Sequence, residues 1–485
     1  MHSWPQSTLP LVGIVVGLMT VHAFAADPPV DIGARRELFV DRFLIDFMTN
    51  ARLELAHPER REVVFEANAA WESGTFFVYS VVQEGSKIRL YYRATFSDGD
   101  ENIITGALAE STDGGRSFSR PNLGLYEFKG SKKNNIIWQG SDLRFAAAFL
   151  DTNPDCPPEA RFKGLSGNAQ KLYALASADG LRWHAMQDQP VTTRGDFDTI
   201  NTAFWDAQHG CYRSYTRVND PTIAGFKPTP TSGAGIRVIQ MSTSKDFIHW
   251  TPPVPLQYDD GDVAMQMYEN NIVPCSGAEH VLLGFPNRYV LDRNKVPQNF
   301  PFCGINDALF MASRDGVHWS RYREAWVRPG LDQRNWTQRN NYPAWHIIQT
   351  SPEEWSILIS EHYMQKDGAP VRLRRLSIRP WGFVSVHVGY EGGEMGTKPI
   401  VFSGKSLRLN YSTSVAGSIQ VEVQDENGQA IPGFGLNEMT PLFGDELDAA
   451  IKWGDSGDLS RLIGRPVRLR FVLKDADLFS LRFAD

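Results

Sequence analysis

Ser111-Thr112-Asp113-Gly114 leads to Phe118, Ser177-Ala178-Asp179-Gly180 to Trp183, Ser244-Lys245-Asp246-Phe247 to Trp250, and Ser313-Arg314-Asp315-Gly316 to Trp319. The serines are 66, 67 and 69 residues apart, and a worn fifth copy, Ser377-Ile378-Arg379 leading to Phe383, follows 64 residues later. Ser and Asp side chains hydrogen-bond the backbone of a tight turn, and glycine accepts the positive φ such a turn needs. The closing aromatic packs under the hairpin. A hairpin returning at a near-fixed interval implies a repeated unit larger than itself.

The residues between the copies supply strands. FFVYSVVQ (76–83), KIRLYYRAT (87–95) and ITGALAES (104–111) read as three strands, with a short fourth starting at Phe118. AAAFLD, RFKGLS and KLYALAS repeat the pattern; so do TAFWD, CYRSYTRV and IRVIQMS; NNIVPC, HVLLGF and ALFMAS; and AWHII, WSILISEHY and VRLRRLSI. Helix-period patterns are nearly absent. Four strands in each of five units predict an all-β protein built on a five-bladed β-propeller over 35–386. After about residue 387 the rhythm breaks at Gly389, Gly392, Gly393 and Gly396. SLRLNYS, SIQVEVQD, the Asn427-Gly428 turn, RPVRLRFVL and LFSLRFAD then predict a C-terminal β-sandwich over 397–485.

Composition agrees. Of 485 residues, 42% are hydrophobic and 22% charged, which excludes a disordered or collagen-like chain. Aromatics at 12% suit a β protein with a ring-rich surface. A net charge of −7 without a basic run argues against nucleic acid as a partner. Residues 10–25, PLVGIVVGLMTVHAFA, form an apolar run ending in Ala23-Phe24-Ala25, and they predict a signal peptide over 1–25 and a secreted or periplasmic protein. The leading MHSWPQS lacks Lys and Arg, so a membrane anchor is the competing reading of that stretch. No later segment is apolar enough to span a bilayer, so no membrane partner is expected once the leader is cleaved, and a monomer is expected. Cys156, Cys211, Cys275 and Cys303 lack metal-ligand spacing; they could form one disulfide or stay four thiols.

In a propeller the inner strand of each blade lines the axis, and side chains at its entry converge there. Four such entries carry acids: Glu72 in AWESGTFFVYS, Asp142 in GSDLRFAAAF, Asp198 in FDTINTAFW and Glu269 in YENNIVP. Their spacings of 70, 56 and 71 residues follow the blade period. Glu361, in ISEHY, is a fifth candidate. Carboxylates forced together split their pKa values, which is what acid–base chemistry uses. Trp71, Trp205, Tyr268, Tyr342 and Trp345 flank these acids, and Asn201 lies beside Asp198. Rings stack on sugar C–H faces while charged groups take the hydroxyls. Arg93, Arg217, Arg288 and Arg339 stand near strand ends, either to bind an anionic sugar or to pair with the acids. Asp113, Asp179 and Asp315 are assigned to the hairpins, and Asp151 and Asp206 to turns.

Other chemistries find no support. H-E-x-x-H is absent, and no metal or cofactor is expected. Gly233-Ala234-Gly235 lacks the third glycine of a dinucleotide loop, Gly404-Lys405-Ser406 has Pro399 where a phosphate loop needs glycine, and no nucleophile elbow is present.

The chain resembles the five-bladed propeller glycoside hydrolases of families 32 and 43 in ELFVDRFLID (37–46), KIRLYYRA (87–94), FLDTNP (149–154), FDTINTAFWD (197–206), LLGFPNRY (282–289) and RRLSIRPWGFVSV (374–386). It lacks W-M-N-D-P-N-G and clear R-D-P and E-C motifs. The resemblance implies inner-strand acids like Glu72, Asp142 and Asp198. A second resemblance, to the sialidase turn S-x-D-x-G-x-[ST]-[FW], is carried by 111–118; the other copies are one residue short, and five units argue against the six blades of that family.

The expectation is a secreted glycoside hydrolase acting on a poly- or oligosaccharide. One of the pair Asp198 with Glu72 or Glu269 would be the ionised nucleophile or base, Asp198, and the Glu the proton donor, with Glu361 or Asp142 tuning pKa or holding hydroxyls. Trp71, Asn201, Trp205, Arg217, Tyr268, Arg288, Arg339 and Tyr342 are the candidate sugar contacts. A non-catalytic carbohydrate-binding propeller and a sialidase-like enzyme are the alternatives.

Overall fold

A computed structural model describes residues 28–98, 101–140, 145–222, 235–261, 265–297 and 303–485. The signal-peptide stretch 1–25 and Asp142 lie outside the described residues. Among the described residues no helix is long and apolar enough to cross a membrane.

The repeated hairpin forms as its residues dictate. In the copy at Ser313, the Ser Oγ accepts the Gly316 N–H at 2.8 Å, and Asp315 Oδ1 accepts the N–H groups of Val317 and His318, each at 2.8 Å. Gly316 has φ +86°, and Trp319 Nε1 donates back to the Gly316 carbonyl at 3.2 Å. The copies at Ser177 and Ser244 make the same bonds. Each hairpin also docks on a neighbouring sheet. Tyr91 Oη donates to the Gly180 carbonyl and Tyr215 Oη to the Gly316 carbonyl. A Cβ at Gly316 would lie 2.6 Å from the Tyr215 hydroxyl, so close docking as well as positive φ requires glycine. Ser313→Ala is expected to cost about 1 kcal/mol, since it strips a buried N–H of its acceptor. Urea denaturation of the full chain measures this.

The structure is all-β, with a propeller-like arrangement of four four-stranded antiparallel sheets and additional sheets. The first contains Phe76–Glu84, Lys87–Asp98, Glu101–Ser111 and Ile136–Gln139. Its fourth strand is therefore at 136–139 and not at Phe118, whose neighbour Ser119 makes only an isolated bridge to Glu110. The second contains Ala147–Leu150, Phe162–Asn168, Lys171–Ser177 and His184–Ala185. The third contains Thr202–Asp206, Cys211–Asp220, Ile236–Ser244 and Val254–Pro255. A seven-stranded sheet follows, in which Val273–Cys275, Ala278–Gly284, Ile305–Ser313 and His318–Val327 pair antiparallel in chain order. The last contains Ile348–Ser351, Glu354–Glu361 and Arg372–Ile378, completed by Glu59–Glu66 from the start of the chain.

That exchange explains the worn fifth hairpin. The outer position beside Arg372–Ile378 is taken by 59–66, so no strand need follow Phe383 there. Arg379, where the motif has Asp, instead bonds Asn410 and the carbonyls of Tyr411 and Glu446. Those residues belong to an eight-stranded sheet of the C-terminal region. Its long strands Ser406–Gln424 and Arg468–Ala484 pair over most of their length, with bulges near Thr413–Ser418. Glu37–Leu38, Ile45–Thr49 and Ala51–Leu55 from the N-terminal region share this sheet.

Inner strands meet at Trp345, which is fully buried. Its N–H donates to the Tyr79 carbonyl, Val81 N–H donates to its carbonyl, and its Nε1 donates to the Ile272 carbonyl at 2.8 Å. Its ring lies 6.0 Å from Phe149. Backbone and indole of this one residue thus tie together segments of three sheets, and Trp345 belongs to the core and not to a sugar-facing surface. All four cysteines are free thiols.

Candidate active site

The segment before the inner strand Thr202–Asp206 places Asp198, and the segment before Val273–Cys275 places Tyr268 and Glu269. Asn201 shapes the first turn from inside: it is buried, and its Nδ2 donates to the carbonyls of Phe197 and Thr199, each at 3.1 Å. The two segments are joined directly, because Glu269 Oε2 accepts the Ile200 N–H at 3.0 Å.

The two carboxyls sit in opposite environments. Glu269 is buried, and burial pushes its pKa up to about 7; the Ile200 N–H and Arg217 oppose that rise, and the nearby Asp198 charge adds to it. The Asp198 side chain is 42% exposed and forms an ion pair with Arg217, which is buried. Arg217 feels the charge of both acids and holds its own charge more firmly for it, against the desolvation that would lower its pKa.

Because burial favours protonated Glu269 in the folded state, the folded pKa lies above the ordinary 4.5. That contribution is full below the ordinary value and is lost as pH rises through about 7. Wild type should therefore lose stability relative to Glu269→Gln between about pH 5 and about pH 8, by on the order of 3 kcal/mol at most. Denaturant titrations of both proteins at the two pH values measure it.

Aromatic rings surround the pair. Tyr268 lies 5.7 Å from Tyr342 and 5.9 Å from Tyr289. Tyr342 is buried with no partner for its hydroxyl among the described residues, and burial beside Tyr268 and Glu269 keeps its pKa well above the usual phenol value. The Arg217 guanidinium stands 5.0 Å and that of Arg237 5.3 Å from the Tyr268 ring. Arg339 donates to Tyr363 Oη at 2.7 Å and stands 5.5 Å from Phe77, whose ring Arg93 also covers at 4.4 Å. Arg339 and Asn341 have φ of +60° and +59°, a costly conformation for residues other than glycine that is found where a site dictates the backbone. The Asn341 Nδ2 braces that turn on the carbonyls of Asn306 and Asn335.

The other expected residues are engaged elsewhere. Glu72 is buried at the start of the first sheet, where it accepts from Tyr92 Oη at 2.6 Å, Arg120 Nε at 3.0 Å and the Ala69 N–H at 3.0 Å. Glu361 is buried among Arg60, Arg372 and Arg374. Trp71 donates to Asn135 and meets Phe128 edge-on. Trp205, near the opposite end of its strand from Asp198, meets Tyr212 edge-on at 5.0 Å. Arg288 is committed to Asp307 through two bonds, at 2.9 and 2.5 Å. Asp198, Asn201, Glu269, Arg93, Arg217, Tyr268, Tyr342 and Arg339 are thus the expected residues that share one neighbourhood. Sequence reading missed Phe77, Arg237, Tyr289 and Tyr363. Arg237 opens a third strand, the one available signal; the aromatic residues look like ordinary strand residues. Among the described residues no group of three or more His, Cys, Asp or Glu could hold a metal ion.

No family model and no curated protein matches the chain. Among solved structures the chain is similar to one titled "Glycoside hydrolase", at 12% identity and TM-score 0.44, over 69% of this chain and 95% of that one. It is also similar to a glycosyl hydrolase from Bacteroides ovatus, at 13% identity and TM-score 0.39, over 66% and 94%. A third is the catalytic domain of Coprinopsis cinerea GH62 alpha-L-arabinofuranosidase, at 11% identity and TM-score 0.42, over 67% and 97%. All three are named as glycoside hydrolases or a glycosidase, at identities of 11–13% and TM-scores below 0.5.

Proposed function

We propose that the protein is an exported glycoside hydrolase in which Glu269 gives a proton to the departing sugar oxygen and Asp198 acts as nucleophile or activates water. One observation carries the reading: the buried Glu269 carboxyl, its pKa pushed up to about 7 by burial, and the half-exposed Asp198 share the influence of Arg217, which is ion-paired with Asp198. Two acids whose environments drive their pKa values apart divide naturally into proton donor and ionised partner. Glu269 holds a proton at pH 6 that it can release, while the ion pair with Arg217 fixes the direction of the Asp198 carboxylate. Tyr268 offers a half-exposed ring for a sugar face. Glu72 and Glu361 serve the fold. In this reading the seven-stranded sheet is the fifth blade, strand 59–66 closes the ring, and the C-terminal sheet bends over itself as a sandwich.

The test is chromatography of products from a panel of plant and algal polysaccharides treated with wild type, Asp198→Asn and Glu269→Gln. Wild type should release shorter saccharides, with kcat/KM falling as pH rises through about 7, where Glu269 loses its proton. That limb should vanish in Glu269→Gln. Saccharides bound without cleavage by wild type would favour the carbohydrate-binding alternative.

A further inference from the structure

Arginines gather around the site beyond what its acids need. Arg217 and Arg237 both face the Tyr268 ring, and Arg93 and Arg339 both face Phe77. Arg93, Arg237 and Arg339 have no carboxylate partner among the described residues; Arg237 donates to the Gln266 amide and Arg339 to the Tyr363 hydroxyl. The nearby described acids are Asp198, paired with Arg217, Asp196, which accepts the Asn219 N–H, and Glu269. As pH falls below about 7 Glu269 goes over to its neutral form, so that among the described residues four guanidiniums stand near two carboxylates.

Donor atoms are also left over. Nε and Nη1 of Arg217, Nε of Arg93 and Nε of Arg237 are buried without a hydrogen-bond partner among the described residues, and Arg217 is only 5% exposed. A buried unpaired donor on a cation is costly, and two cations over one ring repel each other. Both costs fall when an anion arrives. Guanidinium forks match the two oxygens of a carboxylate or sulfate, and the aromatic rings keep each fork oriented. Arg93, Arg237 and Arg339 are each half-exposed, so such an anion can reach them from solvent.

We infer that the site takes an anionic sugar, whose carboxylate or sulfate ester is held by Arg237 and Arg339 beside Tyr268. The inference rests on the hydrolase reading for what happens to that sugar, but the binding stands apart from the chemistry. The positive set recruits the acidic group and leaves the neutral glycosidic oxygen for Glu269.

Calorimetric titration of the full chain carrying Glu269→Gln, at pH 6, tests it. The probes are oligogalacturonate, oligoalginate and oligoglucuronate, each beside its carboxyl-reduced form, and sulfated galactan oligomers beside their desulfated forms. At least one acidic oligomer should bind at least tenfold more tightly than its neutral counterpart, and the matched pair that shows the difference identifies carboxylate or sulfate. Arg237→Gln and Arg339→Gln should each erase most of that difference. Equal binding of acidic and neutral forms, or binding of no acidic oligomer, overturns the inference. Asp198-dependent cleavage of neutral glycosides would keep the hydrolase reading while removing this one; tight acidic binding without cleavage by wild type would do the reverse.

Discussion

Asp198→Asn is expected to fold as wild type does and to lose roughly 10²–10⁴ in kcat on any polysaccharide the protein cleaves. The side chain is 42% exposed, so replacing its charge buries nothing new. The amide keeps an oxygen for Arg217 but cannot be the ionised partner of a glycosidic centre. It also removes the negative charge that helps raise Glu269, so the Glu269 pKa should fall and the descending pH limb of any residual activity should move to lower pH. Far-UV circular dichroism with steady-state kinetics across pH separates these effects. A variant that keeps wild-type kcat removes Asp198 from the chemistry.

Glu361→Gln is expected to be the most damaging single substitution for the fold. This carboxylate is 1% exposed and meets Arg60 of strand 59–66 together with Arg372 and Arg374 of strand 372–378, at 2.8 and 2.9 Å for the last two. Burial alone would raise its pKa, yet the arginines, Arg374 foremost, hold it below the usual carboxylate value. Its stabilisation is therefore present at neutral pH and lost on acidification through that lowered value. Neutralising it leaves three cations crowded at the seam where strand 59–66 pairs with strand 372–378. Removing one member of such a buried cluster costs about 3–5 kcal/mol, a large share of a total that is commonly 5–15 kcal/mol. Calorimetry should show Tm lower by roughly 3–7 °C. Glu59→Gln makes the control. Glu59 pairs with Arg61 at the surface, and its loss should stay within about 0.5 kcal/mol. A Glu361→Gln protein as stable as this control would contradict the account of the seam.

Those expectations show where sequence was informative. The Ser-x-Asp-Gly hairpins were legible because every bond in them runs between neighbours, and a local pattern can encode local bonds. Their spacing then located the inner strands, and the strands located Asp198 and Glu269. The partners of an acid were not legible. Glu72 shares the register of Asp198 but meets Arg120, and Glu361 meets Arg60 some 301 residues away in sequence. No periodicity announces such pairings, and whether an acid is poised or locked depends on them. Strand 59–66 in the last sheet and strands 37–55 in the C-terminal sheet were hidden for the same reason. The decay of the fifth hairpin was the visible trace of that exchange, since Arg379 stands where the other copies carry Asp.

The most direct measurement is the pH dependence of saccharide release, by wild type and by Glu269→Gln, from whichever panel polysaccharide wild type degrades. The account predicts that wild-type kcat/KM declines as pH rises through about 7 and that Glu269→Gln is slower by at least about 100-fold with no such decline. An unchanged limb in Glu269→Gln, or no release from any polysaccharide of the panel, would contradict it.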